Sequence, residues 1–171
     1  SVKAVATGVD AGILATESSA DGHSDELFMR YDASGWRSGE SSLIQAGVHS
    51  TEGASVIETA SNLQSTDVQH IALSWQSGEA PTLYVDGSAV TPAHTDGVLN
   101  GTLSHVDDLI LGRGVKSDGF WDGAIRDFKV FDQALAGSEI ADLASGGSGA
   151  SGGGITLIDP GSVSLAEDGA T

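Results

Sequence analysis

The stretch of sequence that decides the fold is His70–Val90, which reads HIALSWQSGEAPTLYVDGSAV. Its first half places Ile71, Leu73 and Trp75 at every second position, and the TLYV segment of its second half repeats this period of two. Because successive side chains of a strand point to opposite faces of the sheet, each half should be a strand with one apolar face. The Gly and Pro residues between the two halves are typical of a turn. The stretch therefore predicts an antiparallel hairpin whose apolar face lies in a core.

Short alternating runs of the same kind recur along the rest of the chain. They are clearest at Glu26–Tyr31, Leu109–Leu111 and Ala124–Phe131, and weaker at Val2–Ala6, Gly12–Thr16, Leu43–Val48 and Ser55–Thr59. No helical segments separate them, which favours two packed antiparallel sheets over parallel βαβ units. We therefore predict an all-β fold, a two-sheet antiparallel jelly-roll sandwich with one short C-terminal helix. Trp75 and Phe128 are the strongest candidates for the core between the sheets.

Two irregular features are expected towards the end of this pattern. In Ala124–Phe131 the alternation breaks, because Ile125 and Phe128 would lie on opposite faces of a regular strand. A β-bulge would let both side chains point inward. Farther on, Ser138 precedes Ile140, and a second apolar residue follows Ile140 three positions later. This spacing predicts a short helix with Ser138 as its N-cap.

The last part of the chain changes composition. From Ser145 to Gly154 it reads SGGSGASGGG, which is typical of a flexible linker. We therefore predict one domain over residues 1–144, a linker over residues 145–154 and a separate segment over residues 155–171. This segment either begins a neighbouring module of the same polypeptide or adds Ile155–Ile158 to the sandwich as an extra strand. The linker length permits both.

The charge balance narrows the range of partners. The chain has 24 acidic and 7 basic residues, and its formal net charge is −17. Such a surface repels phosphate backbones, so we expect no nucleic acid partner. No apolar run is long enough to span a bilayer, so we expect no membrane insertion.

Cysteine usage points to a compartment. The sequence contains no cysteine, which excludes disulfides, thiolate zinc sites and cysteine nucleophiles. Hydrophobic residues make up 39 % of the chain, which is enough for a core without such cross-links. Because small secreted eukaryotic domains usually carry disulfides, this combination favours a bacterial extracellular protein, either secreted or held at the cell surface.

Two stretches of the chain resemble laminin G-like (concanavalin A-like) jelly rolls. His70–Val90 is similar to the family's central hairpin, in which a strand of the form H-[IV]-A-L-x-[WY] precedes a turn and then L-Y-V-D-G. Phe120–Leu143, FWDGAIRDFKVFDQALAGSEIADL, resembles the closing signature, in which an aromatic residue and a Gly lead into a strand and a short helix. Leu109–Arg113 (LILGR) fits the strand that usually precedes it. The family's opening strand is not visible before Ser1, so the resemblance implies that the chain begins inside the domain or that the tail completes it.

The resemblance also implies a calcium site at the rim of the sandwich. Laminin G-like domains often hold one Ca²⁺ between an Asp that opens an early strand and an Asp just before a later one. Asp25 directly precedes ELFMRY, with Asp21 in the same loop, and Asp107 and Asp108 directly precede LILGR. Short carboxylates in loops suit calcium, which takes roughly six to eight oxygen ligands. The alternative is that all four are solvated turn residues.

A second site, for a glycan or protein ligand, is suggested by the loop Lys116–Asp122, which reads KSDGFWD. Carbohydrate sites place an aromatic face beside carboxylates, so that C–H groups stack while hydroxyls find acceptors. Trp121 lies between Asp118 and Asp122, and these three are the candidate ligand-binding residues. The alternative is that Trp121 packs in the core or at an edge, because the aromatic residue of the family's closing signature is normally in the core.

No catalytic motif accompanies these features. The paired acids of glycosidases, often E-x-D-x-x-E on one strand, are absent, and so is a G-x-S-x-G elbow. The tail Ser164–Thr171 (SLAEDGAT) resembles the start of cadherin-like repeats in very large bacterial surface adhesins. We expect a non-catalytic, calcium-dependent ligand-binding module of a secreted or cell-surface bacterial adhesin. The alternative is a structural or assembly domain, such as a spacer or a decoration domain of a larger particle, without a soluble ligand.

Overall fold

The computed structural model of the chain describes residues 1–17, 27–35, 37–50, 52–101, 103, 108–113, 119–147 and 154–157, and for residues 17, 50 and 154–157 it describes the backbone alone. The prediction of an all-β fold with one short helix is confirmed. The elements are β1 (Val2–Ala4), β2 (Ala11–Glu17), β3 (Leu27–Ser34), β4 (Ser41–Ser50), β5 (Gly53–Thr59), β6 (Ile71–Ser74), β7 (Thr82–Val85), β8 (Ser88–Ala89), β9 (Pro92–Asp96), β10 (Asp108–Leu111), β11 (Gly123–Ile125), β12 (Phe128–Phe131), α1 (Gly137–Ala144) and β13 (Gly154–Leu157).

The strands form one large sheet and three small ones, and all described pairings are antiparallel. The large sheet has six strands in the order β10-β2-β3-β4-β5-β9. The small sheets are β6-β7-β8, β1-β11 and β12-β13. An isolated bridge between Val2 and Gln69 connects β1 to the residues that precede β6. The small sheets pack in or against the same core cluster as the six-stranded sheet, so the large sheet forms one layer and the small sheets the other.

A single apolar cluster joins the two layers. From the large sheet it takes Tyr31, Ile44 and Ile57, and from the small sheets it takes Val2 and Leu83, all of them buried. Alternate side chains of the strands that contribute to this cluster therefore meet between the layers, as the period of two predicts. The arrangement is consistent with a jelly-roll sandwich.

The hairpin that decides the fold has the expected register. Ile71 is paired with Val85, and Leu73 with Leu83, so the apolar positions of β6 and β7 lie side by side. All four pack in or against the core cluster. Trp75, however, is half-buried outside this cluster, and its assignment to the core was wrong. The reason is that β6 ends at Ser74, so the alternation that placed Trp75 inward stops one residue short of it.

The irregular segment before the helix splits into two strands. Asp127, between β11 and β12, has a φ of 52°, which breaks the extended backbone. Ile125 and Phe128 both pack against the core cluster, as the bulge interpretation requires. Phe128 is half-buried and lies at the margin of the core, while the fully buried Tyr31 is at its centre.

The helix begins earlier than the sequence suggested. Its N-cap is Ala136 and not Ser138, and the Glu139 carboxylate accepts a hydrogen bond of 2.8 Å from the Ala136 N–H. An acidic side chain at this position can hold a backbone donor of the first turn without help from a capping hydroxyl. Ile140, 2 % exposed, attaches the helix to the body of the domain.

The segment after the Gly/Ser-rich stretch lies beside the sandwich. β13 pairs with β12 over four residues, from Phe128 opposite Leu157 to Phe131 opposite Gly154. This is the geometry of the extra-strand interpretation. The remainder of the tail, residues 158–171, falls outside the described residues.

Candidate functional site

The residues around Trp121 come together at one edge of the sandwich. The segment Gly119–Asp122 crosses the end of β1 and the start of β2, and backbone hydrogen bonds hold it at both ends. The Val5 N–H donates to the Asp122 carbonyl at 3.0 Å, and the Gly12 N–H donates to the Gly119 carbonyl at 3.0 Å. The predicted ligand loop is therefore fixed, at this end, to two strands that come from the other end of the chain.

A shallow pocket of about 210 Å³ opens between these elements, and we call it the edge pocket. One part of its lining is small and apolar, from Ala4, Ala6, Val9 and Ala11. The other part carries the chemistry and consists of Asp10, Phe120, Trp121 and Asp122. Two of the three predicted ligand-binding residues, Trp121 and Asp122, thus line one concave surface, and the third, Asp118, lies outside the described residues.

Trp121 is the inner wall of the edge pocket. It is half-buried and packs against the core cluster, where its indole meets the Tyr31 ring edge-on at a centroid distance of 4.9 Å. Its Nε1 atom is buried without a hydrogen-bond partner. A Cβ atom on Gly123 would lie 3.0 Å from that nitrogen, so the N–H is turned towards the backbone of β11. Trp121 thus packs at the edge of the core and also lines the pocket.

Phe120 is the residue that sequence reasoning missed. Its side chain is 80 % exposed and continues the apolar lining of the edge pocket, and a contiguous exposed apolar surface of this kind is typical of binding sites. The closing signature suggested that the aromatic residues of this segment belong to the core. Consecutive side chains of an extended segment point in opposite directions, so with Trp121 facing inward, Phe120 must face solvent. This alternation of adjacent side chains is the feature of the sequence from which the exposure of Phe120 could have been predicted.

Two carboxylates flank the aromatic pair, and both are exposed. Asp10 accepts a hydrogen bond of 2.9 Å from the Ala33 N–H through Oδ1, which orients its side chain at the start of β2. Asp122 follows Trp121 directly, and its backbone is fixed by the bond from Val5. Within the part of the chain that the structure describes, no Lys or Arg side chain lines the edge pocket. The pocket therefore combines an aromatic face, an apolar wall and negative charge.

The structure describes only one of the four predicted calcium ligands. Asp108 is exposed at the first position of β10, opposite Glu17 on β2. Asp21, Asp25 and Asp107 lie outside the described residues. Among the residues that are described, no three His, Asp or Glu side chains come close enough together to hold a metal. A calcium site around Asp108 would thus draw its other ligands from the remaining residues.

The most deeply buried acid of the described chain has a structural explanation. Glu58 is fully buried on β5, where it accepts hydrogen bonds from the Gln45 amide at 2.9 Å and from the Ser38 N–H at 2.8 Å. Burial alone would raise the pKa of Glu58, but the hydrogen bonds from Ser38 and Gln45 outweigh it, and the pKa is lowered. Ser38 and Arg37 belong to the loop between β3 and β4. An ion pair between Arg37 and Asp96 attaches this loop to β9. These contacts hold the β3–β4 loop over the sheet.

The second buried acid of the large sheet does not form a catalytic pair with Glu58. Asp32 is buried on β3 and is bound by Arg30 at 2.9 Å and by the Ser34 N–H at 3.0 Å. Burial raises the pKa of Asp32, against the opposing effect of these bonds. Each of the two acids is engaged by its own protein donors, which is the pattern of structural carboxylates.

One family model and one solved structure are similar to this chain. The family model for the concanavalin A-like lectin/glucanases superfamily, of laminin G type, matches residues 2–141. A solved structure of an S-layer domain-containing protein (residues 221–444) from Clostridium thermocellum is similar with 24 % identity and a TM-score of 0.40. The alignment covers 72 % of this chain and 59 % of that one, so the chain spans less than two thirds of its length. No curated protein matches the chain. None of the described helices is long and apolar enough to pass through a bilayer.

Proposed function

The chain belongs to the concanavalin A-like lectin/glucanases superfamily, and we propose that it is a non-catalytic ligand-binding module of a secreted or cell-surface bacterial protein. The observation that carries the proposal is the exposed Phe120 ring at the mouth of the edge pocket, beside Asp10 and Asp122. A soluble domain gains nothing in stability from an aromatic side chain that is mostly in water. The ligand, a glycan or a protein, would contact this surface.

The non-catalytic part of the proposal is supported by how the acids are used. The superfamily to which the chain belongs includes glycosidases, and these need two carboxylates that face each other across the scissile bond. Glu58 and Asp32, the buried acids of the large sheet, are instead occupied by protein hydrogen bonds. Asp10 and Asp122 are both exposed, and the Asp10 carboxylate already accepts a hydrogen bond from the Ala33 N–H.

The surface location is supported by the composition. The formal charge of −17 keeps a protein soluble and separate from other acidic molecules. The tail Ser164–Thr171 resembles the first residues of repeats found in large bacterial adhesins. We propose that the module is one of several in a longer polypeptide and that its edge pocket faces a partner outside the cell.

The experiment is binding of the full chain to arrays of glycans and of extracellular proteins, with Phe120→Ala as the test variant. Val98→Ala is the matched control, because Val98 is also an exposed apolar residue, 52 % accessible, and does not line the pocket. We expect at least one ligand whose binding is lost in Phe120→Ala and kept in Val98→Ala. Binding to nothing on either array, together with a stable contact to a neighbouring chain, would favour the structural or assembly role instead.

Calcium dependence is a separate part of the proposal and has its own test. If Asp108 helps to hold Ca²⁺ with Asp107, Asp25 or Asp21, calcium will bind the folded chain and raise its melting temperature. Asp108→Asn should reduce that rise, and Asp132→Asn, which alters an exposed acid after β12, should not. An identical melting temperature in excess calcium and in chelator would remove calcium from the proposal and leave the edge pocket untouched.

A further inference from the structure

We propose that the edge pocket takes a basic side chain, Lys or Arg, from a partner polypeptide. This rests on the proposed function, because it names the ligand class of the same site. The pocket offers about 210 Å³, whereas sites that enclose a small molecule are usually roughly 300–1,000 Å³. A pocket of this size suits a single side chain that anchors a larger surface.

The side chains that line the edge pocket supply hydrogen-bond acceptors and almost no donors. Asp10 and Asp122 bring acceptor oxygens only, and the other lining side chains are Ala, Val, Phe and Trp. The single side-chain donor among them is the Trp121 N–H, which is buried and turned towards Gly123. Sugar hydroxyls both donate and accept, and sites for them usually supply both functions. An ammonium or guanidinium group only donates, which matches the acceptors that this lining offers.

The apolar part of the pocket matches the rest of such a side chain. Lys and Arg carry a hydrophobic stem that packs along apolar surface while the charged head remains with polar groups. Ala4, Ala6 and Val9 provide a narrow apolar wall for the stem. The Phe120 ring stands exposed beside the two acids, where its face can attract the cation directly.

Charge on the larger scale acts in the same direction. With 24 acidic and 7 basic residues, the chain attracts cationic surfaces and repels anionic ones. Among the described residues, neither Lys nor Arg lines the pocket, so no described side chain of the lining competes with the incoming cation. The partner is therefore a protein with an exposed basic residue, set in a surface that tolerates an acidic neighbour.

The test uses four peptides that differ only at a central residue, which is Lys, Arg, norleucine or Glu. Norleucine keeps the apolar stem of Lys without its charge. Affinity for the full chain is measured at low and at high salt. We expect the Lys and Arg peptides to bind roughly tenfold more tightly than the norleucine peptide at low salt, with the difference reduced at high salt.

Variants locate the effect in the edge pocket. Asp10→Asn and Asp122→Asn should each remove most of the preference for Lys and Arg, and Asp10→Asn keeps an oxygen for the bond from Ala33. Glu79→Gln, which neutralises an exposed acid that does not line the pocket, is the control and should leave the preference unchanged. Equal binding of the Lys and norleucine peptides, or a Lys preference that survives both Asp variants, would overturn the inference. If the arrays instead yield a glycan whose binding requires Phe120, the proposed function stands and the basic ligand does not.

Discussion

The hydroxyl-bearing ring of Tyr31 and the indole of Trp121 meet edge-to-face, with their centroids 4.9 Å apart and their planes inclined by 70°. Tyr31 is completely buried at the centre of the large sheet, and Trp121 lines the edge pocket. The contact therefore connects the core of the sandwich directly to the inner wall of the candidate site. Edge-to-face aromatic pairs contribute beyond the area that they bury, so this contact fixes the wall in position.

Neighbouring aromatic substitutions should separate packing from binding. Trp121→Ala removes a half-buried ring from the core margin and should lower the free energy of unfolding by about 2–3 kcal/mol. Phe120→Ala removes a side chain that is 80 % exposed and should change it by less than about 0.5 kcal/mol. Urea unfolding of both variants measures the difference. Equal destabilisation by the two substitutions would contradict the inward and outward placement of the two rings.

The buried Tyr31 hydroxyl should contribute to the free energy of unfolding through two hydrogen bonds. It donates to Gln69 Oε1 at 2.5 Å and accepts from the Ser65 N–H at 3.1 Å. Tyr31→Phe leaves both groups without this partner and should cost about 1–3 kcal/mol of unfolding free energy. Tyr84→Phe is the control, because among the described residues the half-buried Tyr84 makes no hydrogen bond through its hydroxyl. A loss as large in Tyr84→Phe would show that the effect is not one of these two bonds.

The layers of the sandwich were predictable because apolar alternation is local. In β6 and β7 the positions that recur every two residues, such as Leu73 and Leu83, are the ones that pack in or against the core. The break in the spacing of Ile125 and Phe128 correctly indicated an irregularity there, which the structure forms as an interruption at Asp127 between β11 and β12. β9 was missed, because Pro92–Asp96 contains no apolar alternation and lies at a sheet edge, where a Pro in the first position is tolerated.

The candidate site was only partly predictable, since it forms from distant parts of the chain. Trp121 and Asp122 could be proposed from their own loop. Asp10 could not, because the backbone bond from Gly12 to Gly119 that brings β2 to this loop joins residues more than a hundred positions apart. The exposure of Phe120 likewise depends on which of two adjacent rings the core accepts, and Tyr31 decides that through its contact with Trp121.

Two glycines with nearly equal backbone angles should respond differently to substitution. Gly123 has a φ of 149° and Gly53 a φ of 145°, and each is the first residue of a strand. A Cβ atom on Gly123 would lie 2.0 Å from the Lys3 carbonyl oxygen, whereas one on Gly53 would meet nothing within 4 Å. The two alanine variants share the strain of the backbone angle, and only Gly123→Ala adds a clash with β1.

We expect Gly123→Ala to be less stable than Gly53→Ala by about 1–3 kcal/mol, which is the usual cost of overpacking. Thermal and urea unfolding of the pair measure this difference. Gly123→Ala should also perturb Trp121, whose Nε1 lies 3.0 Å from the same Cβ position, and tryptophan fluorescence should report it. Equal stability of the two variants would mean that β1 is not held against β11 as described.

The lowered pKa of Glu58 has a consequence for stability in acid. Its ordinary value is 4.5, so below about that pH the unfolded chain binds a proton at Glu58 that the folded chain refuses. Stability from this group is thus complete above the unfolded pKa and is lost as the pH falls through the lower folded pKa. Asp32, whose pKa is raised, acts in the opposite direction by binding its proton more readily in the folded state.

Glu58→Gln removes the pH-dependent contribution of Glu58 to stability and leaves that of Asp32. The unfolding free energy of the variant should therefore fall less steeply between pH 5 and pH 3 than that of the unmodified chain, a window set by the ordinary value of 4.5. Glu79→Gln, at an exposed position, should keep the original slope. The measurement is urea unfolding at several pH values across this window. Because the bonds from Ser38 and Gln45 cause the lowered pKa, a slope unchanged by Glu58→Gln would mean that these donors do not hold the β3–β4 loop in solution.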